Sequence, residues 1–388
     1  MILRDVTLLH PEGIFVSSSL EADGPHLSQI ELGEQLQADA DIYGLVVMPG
    51  IIDLHGDMLE RELEPRPGSR FPAALAIREL DKRHAAAGIT TAYVALSFAN
   101  FSQQDDTTLV SQTRDLITAV HDLKPKLGCD TRIHARFEIA YVQAKPVLKD
   151  LIKNKQVNLV SLMDHSPGQG QFRDLESYVS YMAQWLQVDR QQAEKEVTAQ
   201  LENPAIWDNV HDVSELAQQH HLPLASHDDD TADKITLMQS MGVGISEFPV
   251  TLEAARAAKT QGLWTVMGAP NALRGGSHSG NLSAVDALKK DVLDALASDY
   301  YPAALLQAAF VLAKQGILNL EDSIKLITQN PADAAGLRDR GRLSVGLRAD
   351  VVVLEYYPHQ LPHVVATFRE GKLIYWSGEH ATVLGLDG

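Results

Sequence analysis

Val47-Met48-Pro49-Gly50-Ile51-Ile52-Asp53-Leu54-His55-Gly56-Asp57 is an apolar run that ends in His-x-Asp. A run without polar alternation reads as a strand covered on both faces, as in a parallel sheet. Burying an unpaired charge costs several kcal/mol, so a strand that stops on charged residues needs a reason for them. In an extended segment residues i and i+2 share a side, so His55 and Asp57 can grip one cation together. Taken alone, a structural His/Asp pair explains the motif more readily than a metal site does.

Working outward, Leu45–Asp57 is the first of eight candidate strands. The others are Thr90–Ser97, Arg132–Ile139, Val157–Asp164, Leu222–Ser226, Gly244–Phe248, Trp264–Gly268 and Ala295–Ser298. Amphipathic stretches alternate with them, including Ala73–Ala87, Thr107–Leu123, Leu252–Gln261 and Pro302–Gln315. Alternating strands and helices predict βα units, and eight strands close a TIM-type (β/α)8 barrel. Both chain ends read instead as short strands with turn punctuation. Residues 1–47 and 340–388 are therefore expected to form one small β-sandwich, with the barrel in 48–339 and a helical insertion at about 172–203.

Nearly every candidate strand ends in a polar residue, where a barrel places its chemistry. Glu138 closes His134-Ala135-Arg136-Phe137-Glu138, and its two oxygens suit a bridge between metal ions, although a strand ion pair with Arg136 or Arg132 accounts for it as well. Asp164-His165 and Ser226-His227-Asp228 put imidazoles at two further strand ends, each either ligand or loop residue. Asp299, in Ser298-Asp299-Tyr300-Tyr301-Pro302, is a candidate metal ligand and proton acceptor, or a helix N-cap with proline close behind. Together the five clusters fit a binuclear site with a bridging hydroxide as nucleophile. A sixth stretch, Gly268 to Asn281, combines paired glycines with Arg274, Ser277, His278 and Ser279, donors that suit phosphate oxygens or a flexible catalytic loop.

Two stretches, Val47–His55 and Gly341–Asp350, resemble the first barrel strand and the return into the terminal β-layer of the amidohydrolase superfamily. Leu159–Gln169, Ala225–Asp229, Gly268–Asn281, Ser298–Ala303 and Pro65-Arg66-Pro67 resemble that superfamily's diphosphatases of bacterial phosphonate breakdown, and the resemblance spans nearly the whole chain. It implies two divalent metal ions (Zn, Mn or Fe) held by His55, Asp57, Glu138, His165, His227 and Asp299, with Asp299 also the catalytic base. It implies a substrate site at Arg66, Asn271, Arg274, Gly275, Gly276, Ser277, His278 and Ser279. The implied reaction removes diphosphate from a phosphorylated ribose phosphonate, a 5-triphosphate, and leaves the 5-phosphate. Two positions depart from the superfamily pattern: Asp57 stands where a second His is usual, and Glu138 where a carboxylated Lys is frequent. Plain carboxylates favour harder cations such as Mn.

The 388 residues are 45% hydrophobic and 22% charged, ample for a large core. A net charge of -18 without a Lys/Arg cluster argues against nucleic acid and against an anionic membrane surface. Within the site, bound metals with Arg66, Arg274 and His278 would offset that charge for a polyanion; Arg61 and Arg70 are weaker candidates for the same job and read more readily as solvated loop charges. No apolar run approaches the roughly 20 residues needed for a membrane span, and the N-terminus does not read as a secretory signal. Cys129, the single cysteine, sits in a polar turn and suits a reducing, cytoplasmic setting better than catalysis. A homo-oligomer is compatible with the sequence. The alternatives are an amide or cyclic-amide hydrolase on the same two-metal scaffold and a non-catalytic barrel, which the intact donor set disfavours.

Overall fold

The computed structural model describes residues 1–37, 42–66, 68–98, 106–164, 176, 179–180, 183, 188–201, 206–276, 280–358 and 360–385. Its strands, in chain order, are β1 (Ile2–His10), β2 (Gly13–Asp23), β3 (His26–Glu31), β4 (Glu34–Gln35), β5 (Gly44–Pro49), β6 (Ile51–Gly56), β7 (Ile89–Phe98) and β8 (Asp130–Glu138). There follow β9 (Leu159–Met163), β10 (Leu224–His227), β11 (Ile245–Glu247), β12 (Trp264–Gly268), β13 (Ala295–Ala297), β14 (Val351–Tyr356), β15 (His363–Arg369) and β16 (Lys372–Trp376).

Strands β6 to β13 form one sheet in sequential order, and every neighbouring pair is parallel. The two ends meet where Asp299 N–H donates to His55 O and Asp57 N–H donates to Asp299 O, both at 2.9 Å, so the sheet closes into an α/β barrel. Helices Ala73–Ala86, Asp106–Leu123, Leu252–Thr260 and Ala304–Lys314 lie where the apolar periodicity puts them. Leu80, Ile117, Leu148 and Ile235 pack with strand residues such as Phe137 and Val160 in the main core cluster. Among the described residues no helix is long and apolar enough to cross a membrane.

The second sheet runs β16-β15-β14-β5-β1-β2-β3, with β4 on β2, and so joins both chain termini. Strand β5 stitches them together, parallel to β1 and antiparallel to β14. One consequence corrects the sequence reading: the stretch Leu45–Asp57 is two strands in two sheets. Pro49 ends the first, and Gly50 carries the chain past Thr90, where a Cβ would collide with the threonine side chain. In the expected insertion the helix Arg190–Leu201 packs Ala193 and Val197 against Val179, and most of 172–187 lies outside the described residues.

Candidate functional site

Inside the barrel, Ile52, Leu54, Tyr93, Leu159, Ala225 and Ile245 form an apolar floor. One step further along each strand, period-two alternation brings His134 on β8, His227 on β10 and Glu247 on β11 to the same inner face. His55 arrives differently. Asp53 pairs with Ala92 and Gly56 with Val94, three steps against two, so β6 bulges and both Leu54 and His55 face inward. The displaced Asp53 fastens β6 to β13, accepting from His55 N (3.2 Å), Ser298 N (2.9 Å) and Ser298 Oγ (2.5 Å).

Donor atoms of His55, His134 and Glu247 lie within 4.8 Å of one another. Glu247 Oε1 is 3.4 Å from His55 Nδ1, and its Oε2 is 3.6 Å from both His134 Nε2 and His227 Nδ1. The His55 and His227 rings stack at 5.6 Å, with Phe248 edge-on to both. Burial pushes the His55 and His134 imidazoles down to about 3, which leaves them neutral, and His134 Nε2 lies 2.9 Å from Ser161 Oγ. His134 Nδ1–H donates to the Leu54 carbonyl at 3.1 Å, which fixes its tautomer. Two carboxylate oxygens here, Glu247 Oε2 and Asp57 Oδ1, are buried without a hydrogen-bond partner. Such orphaned acceptors beside neutral imidazoles are a donor set that fits a divalent metal.

A cleft of about 530 Å³ opens above this cluster. Its lining includes three acids, Asp57, Asp228 and Asp299, and three arginines, Arg61, Arg136 and Arg274. Asp228, Phe248 and Asp299 each follow the last residue of a barrel strand or lie one residue beyond it, and all are left-handed, with φ of 52°, 53° and 56°. That conformation costs roughly 1–3 kcal/mol per residue, so these rim positions carry backbone strain, as do other non-glycine residues away from the site. Asp299 Oδ2 lies where a side chain at position 268 would stand, 3.1 Å from a Cβ placed on Gly268.

Burial, with Asp57 nearby, pushes the Asp299 carboxyl up to about 7. The folded chain therefore holds this proton more tightly than the unfolded one. The resulting stability is full below pH ~4 and is lost as pH rises toward 7. In metal-free protein, urea unfolding at pH 5 and pH 7.5 should show Asp299→Asn gaining on the parent by about 1–3 kcal/mol as pH rises. A parent-to-variant difference that stays constant over this range would count against the assignment.

Of the sequence-derived residues, His55, Asp57, His227 and Asp299 border the one cleft. Asp57 does so from the N-cap position of helix Met58–Leu63, not from the extended i, i+2 relation expected with His55. Glu138 is buried at the end of β8, two residues beyond Arg136 and off the described cleft lining. Neither arginine proposed as its partner pairs with it: Arg132 pairs with Asp130 at 3.0 Å, and Arg136 forms no ion pair among the described residues. Asp299 caps no helix, because the next one starts at Ala304. Arg274, Gly276 and Asn271 border the cleft, with Gly275 beside them. The Asn271 amide is already engaged, donating to Leu282 O (3.1 Å) and accepting from Ala284 N (3.0 Å), so it braces the loop. Arg66 is exposed at a bend and is not among the residues lining the cleft. His165, Ser277, His278 and Ser279 lie outside the described residues.

Sequence reasoning missed His134, Arg136 and Glu247. Cys129 is buried with its thiol against Ile89 O at 3.1 Å, and burial pushes its pKa up, which suits a packing role.

Residues 74–375 match the model of the Amidohydrolase family. The alpha-D-ribose 1-methylphosphonate 5-triphosphate diphosphatase of Escherichia coli (strain K12) is 36% identical over 383 residues, covering 97% of this chain and 100% of that protein. Among solved structures, the N-acetyl-D-glucosamine-6-phosphate deacetylase of Mycobacterium smegmatis superimposes with a TM-score of 0.60 at 16% identity, over 97% of this chain and 100% of that one. The D-hydantoinase of a Bacillus species gives 0.62 at 13% identity, over 97% and 95%. At such identities the structures establish the shared fold alone.

Proposed function

The chain belongs to the amidohydrolase family, and from that premise we propose that it hydrolyses alpha-D-ribose 1-methylphosphonate 5-triphosphate to the 5-phosphate and diphosphate. The observation that carries the reading is the cleft itself, with neutral imidazoles and orphaned carboxylate oxygens at its base and three arginines in its wall. Guanidinium groups suit phosphate oxygens far better than a neutral amide, which sets this reading above amide hydrolysis.

Two divalent ions would be held by His55, Asp57, Glu138, His165, His227 and Asp299, and the geometry adds Glu247 and His134 as donors to that set. Bound there, they would supply Lewis-acid polarisation of phosphoryl oxygens and make water acidic enough to attack near neutral pH. The rest is the work of side chains. Asp299, at the cleft lining beside Asp57, takes the proton of the attacking water and can return it to the leaving oxygen. Arg274, whose Nη1 donates to Tyr300 Oη at 3.2 Å, is held at the cleft wall to receive phosphate oxygens, with Gly275, Gly276, Ser277, His278 and Ser279 of its loop completing the anion site. Arg66 and Asn271 remain outer members of that site, Asn271 by bracing the loop. The setting proposed is cytoplasmic.

Phosphorus NMR of the purified chain with the ribose 1-phosphonate 5-triphosphate tests this directly. Diphosphate and a 5-phosphate should appear, chelation should abolish the signal, and Mn or Zn should restore it. Release of single phosphates, or a rate indifferent to chelator, would reject the reading.

A further inference from the structure

We propose that Arg136 is an anion-binding residue at the base of the cleft, placed to hold phosphoryl oxygens of the substrate. The identity of the anion rests on the diphosphatase reading above. The side chain belongs to the inner row of β8, between His134 and Glu138, and borders the cleft among the candidate metal donors.

Its surroundings are those of a cation awaiting a counter-ion. Elsewhere among the described residues, buried cations meet a carboxylate: Arg340 meets Asp130 at 2.7 Å, Arg348 meets Asp350 at 3.1 Å, and Lys234 lies 3.9 Å from Asp229. Arg136 has no such partner. Among the described residues its guanidinium makes one polar contact, Nη2 to His227 Nε2 at 3.4 Å, while Nε is buried with no hydrogen-bond partner. The residue is half-buried in the cleft wall, and taking part of a guanidinium out of water without a paired charge is costly, a cost that a ligand's negative charge would offset. Glu60, Glu247 and Asp299 feel its field without touching it. Cations bound by those acids would deepen its need for an anion. A guanidinium offers five donors in a planar fork, which matches two oxygens of a phosphoryl group and equally the two of a carboxylate.

The test is calorimetric titration of the full chain as purified, its metal content measured, with inorganic diphosphate and separately with malonate. Parent, Arg136→Gln and Arg136→Lys are compared, and the titrations are repeated after chelation so that a change in metal content cannot mimic the result. The parent should bind diphosphate. Arg136→Gln should weaken that binding at least about tenfold, the scale of a lost charge-assisted pair. Arg136→Lys should fall between, keeping the charge without the fork. Melting of Arg136→Gln should be unchanged or higher, because no internal ion pair is lost. Equal diphosphate affinity in parent and Arg136→Gln overturns the proposal, as does a marked drop in melting temperature, which would make the arginine a structural cation. If malonate alone binds, and does so through Arg136, the anion role stands and the diphosphatase reading falls.

Discussion

Asp299→Asn should reduce diphosphate release by at least about a hundredfold, within the range for lost acid-base catalysis, while leaving the fold intact. Asparagine is the substitution that isolates the chemistry. Position 299 has φ 56°, and asparagine tolerates the left-handed region better than alanine or any branched residue. Its amide also has the size of the carboxyl, so it fills the same space beside Gly268. The backbone hydrogen bonds between 299 and residues 55 and 57, which close the barrel, do not involve the side chain. What changes is the capacity to accept a proton and to donate an anionic oxygen to a metal. Phosphorus NMR with matched circular dichroism separates the two effects. A folded variant at parental rate would remove Asp299 from proton transfer.

That experiment rests on a residue visible in the sequence, and the reason is general. An apolar strand that stops at Asp or His announces a polar rim, so His55, His227 and Asp299 could be picked out without coordinates. The barrel was legible for the same reason, through alternation of strand and helix. What alternation could have supplied, and did not, is the rest of the inner row of β8. Once Glu138 is taken as inward-facing, His134 and Arg136 follow by steps of two. Glu247 was within reach too, as the last residue of a three-residue strand, but Phe248 and Pro249 after it disguise the strand end as a continuing apolar run.

Other features had no signal in the sequence. The bulge in β6 depends on how that strand pairs with β7, a long-range fact, and it alone explains why His55 faces inward next to an inward Leu54. The expected His55/Asp57 grip assumed an unbroken strand, and the chain has already turned into a helix by Asp57. The division of Leu45–Asp57 between two sheets was hinted at by Pro49-Gly50, yet only the terminal sheet shows where β5 goes.

The opposite stability response is expected at Asp229, whose replacement by alanine should cost about 3–5 kcal/mol, the scale for breaking a buried ion pair. Asp229 is fully buried. Its Oδ2 accepts from Ser226 Oγ at 2.6 Å and from Ser246 Oγ at 2.5 Å, and Lys234 Nζ lies 3.9 Å from Oδ1 while donating to His227 O at 3.3 Å. Ser226 immediately precedes His227, and Ser246 immediately precedes Glu247. One carboxylate thus ties together the two strands that present a histidine and a glutamate to the cleft. Alanine would leave an ammonium and two hydroxyls buried without their acceptor, whereas Asp229→Asn keeps an acceptor for the serines and should cost less. Melting temperature should fall by about 5–10 °C for the alanine variant, given the roughly 2 °C per kcal/mol of a large domain. Metal affinity should drop some 10- to 100-fold as His227 and Glu247 lose their common support. Lys234 and Arg136 are both cations inside one barrel, but only the lysine has its charge answered by the protein. Removing the partner of the first should therefore destabilise the chain, and removing the second should not. A parental melting temperature for Asp229→Ala would refute the clasp.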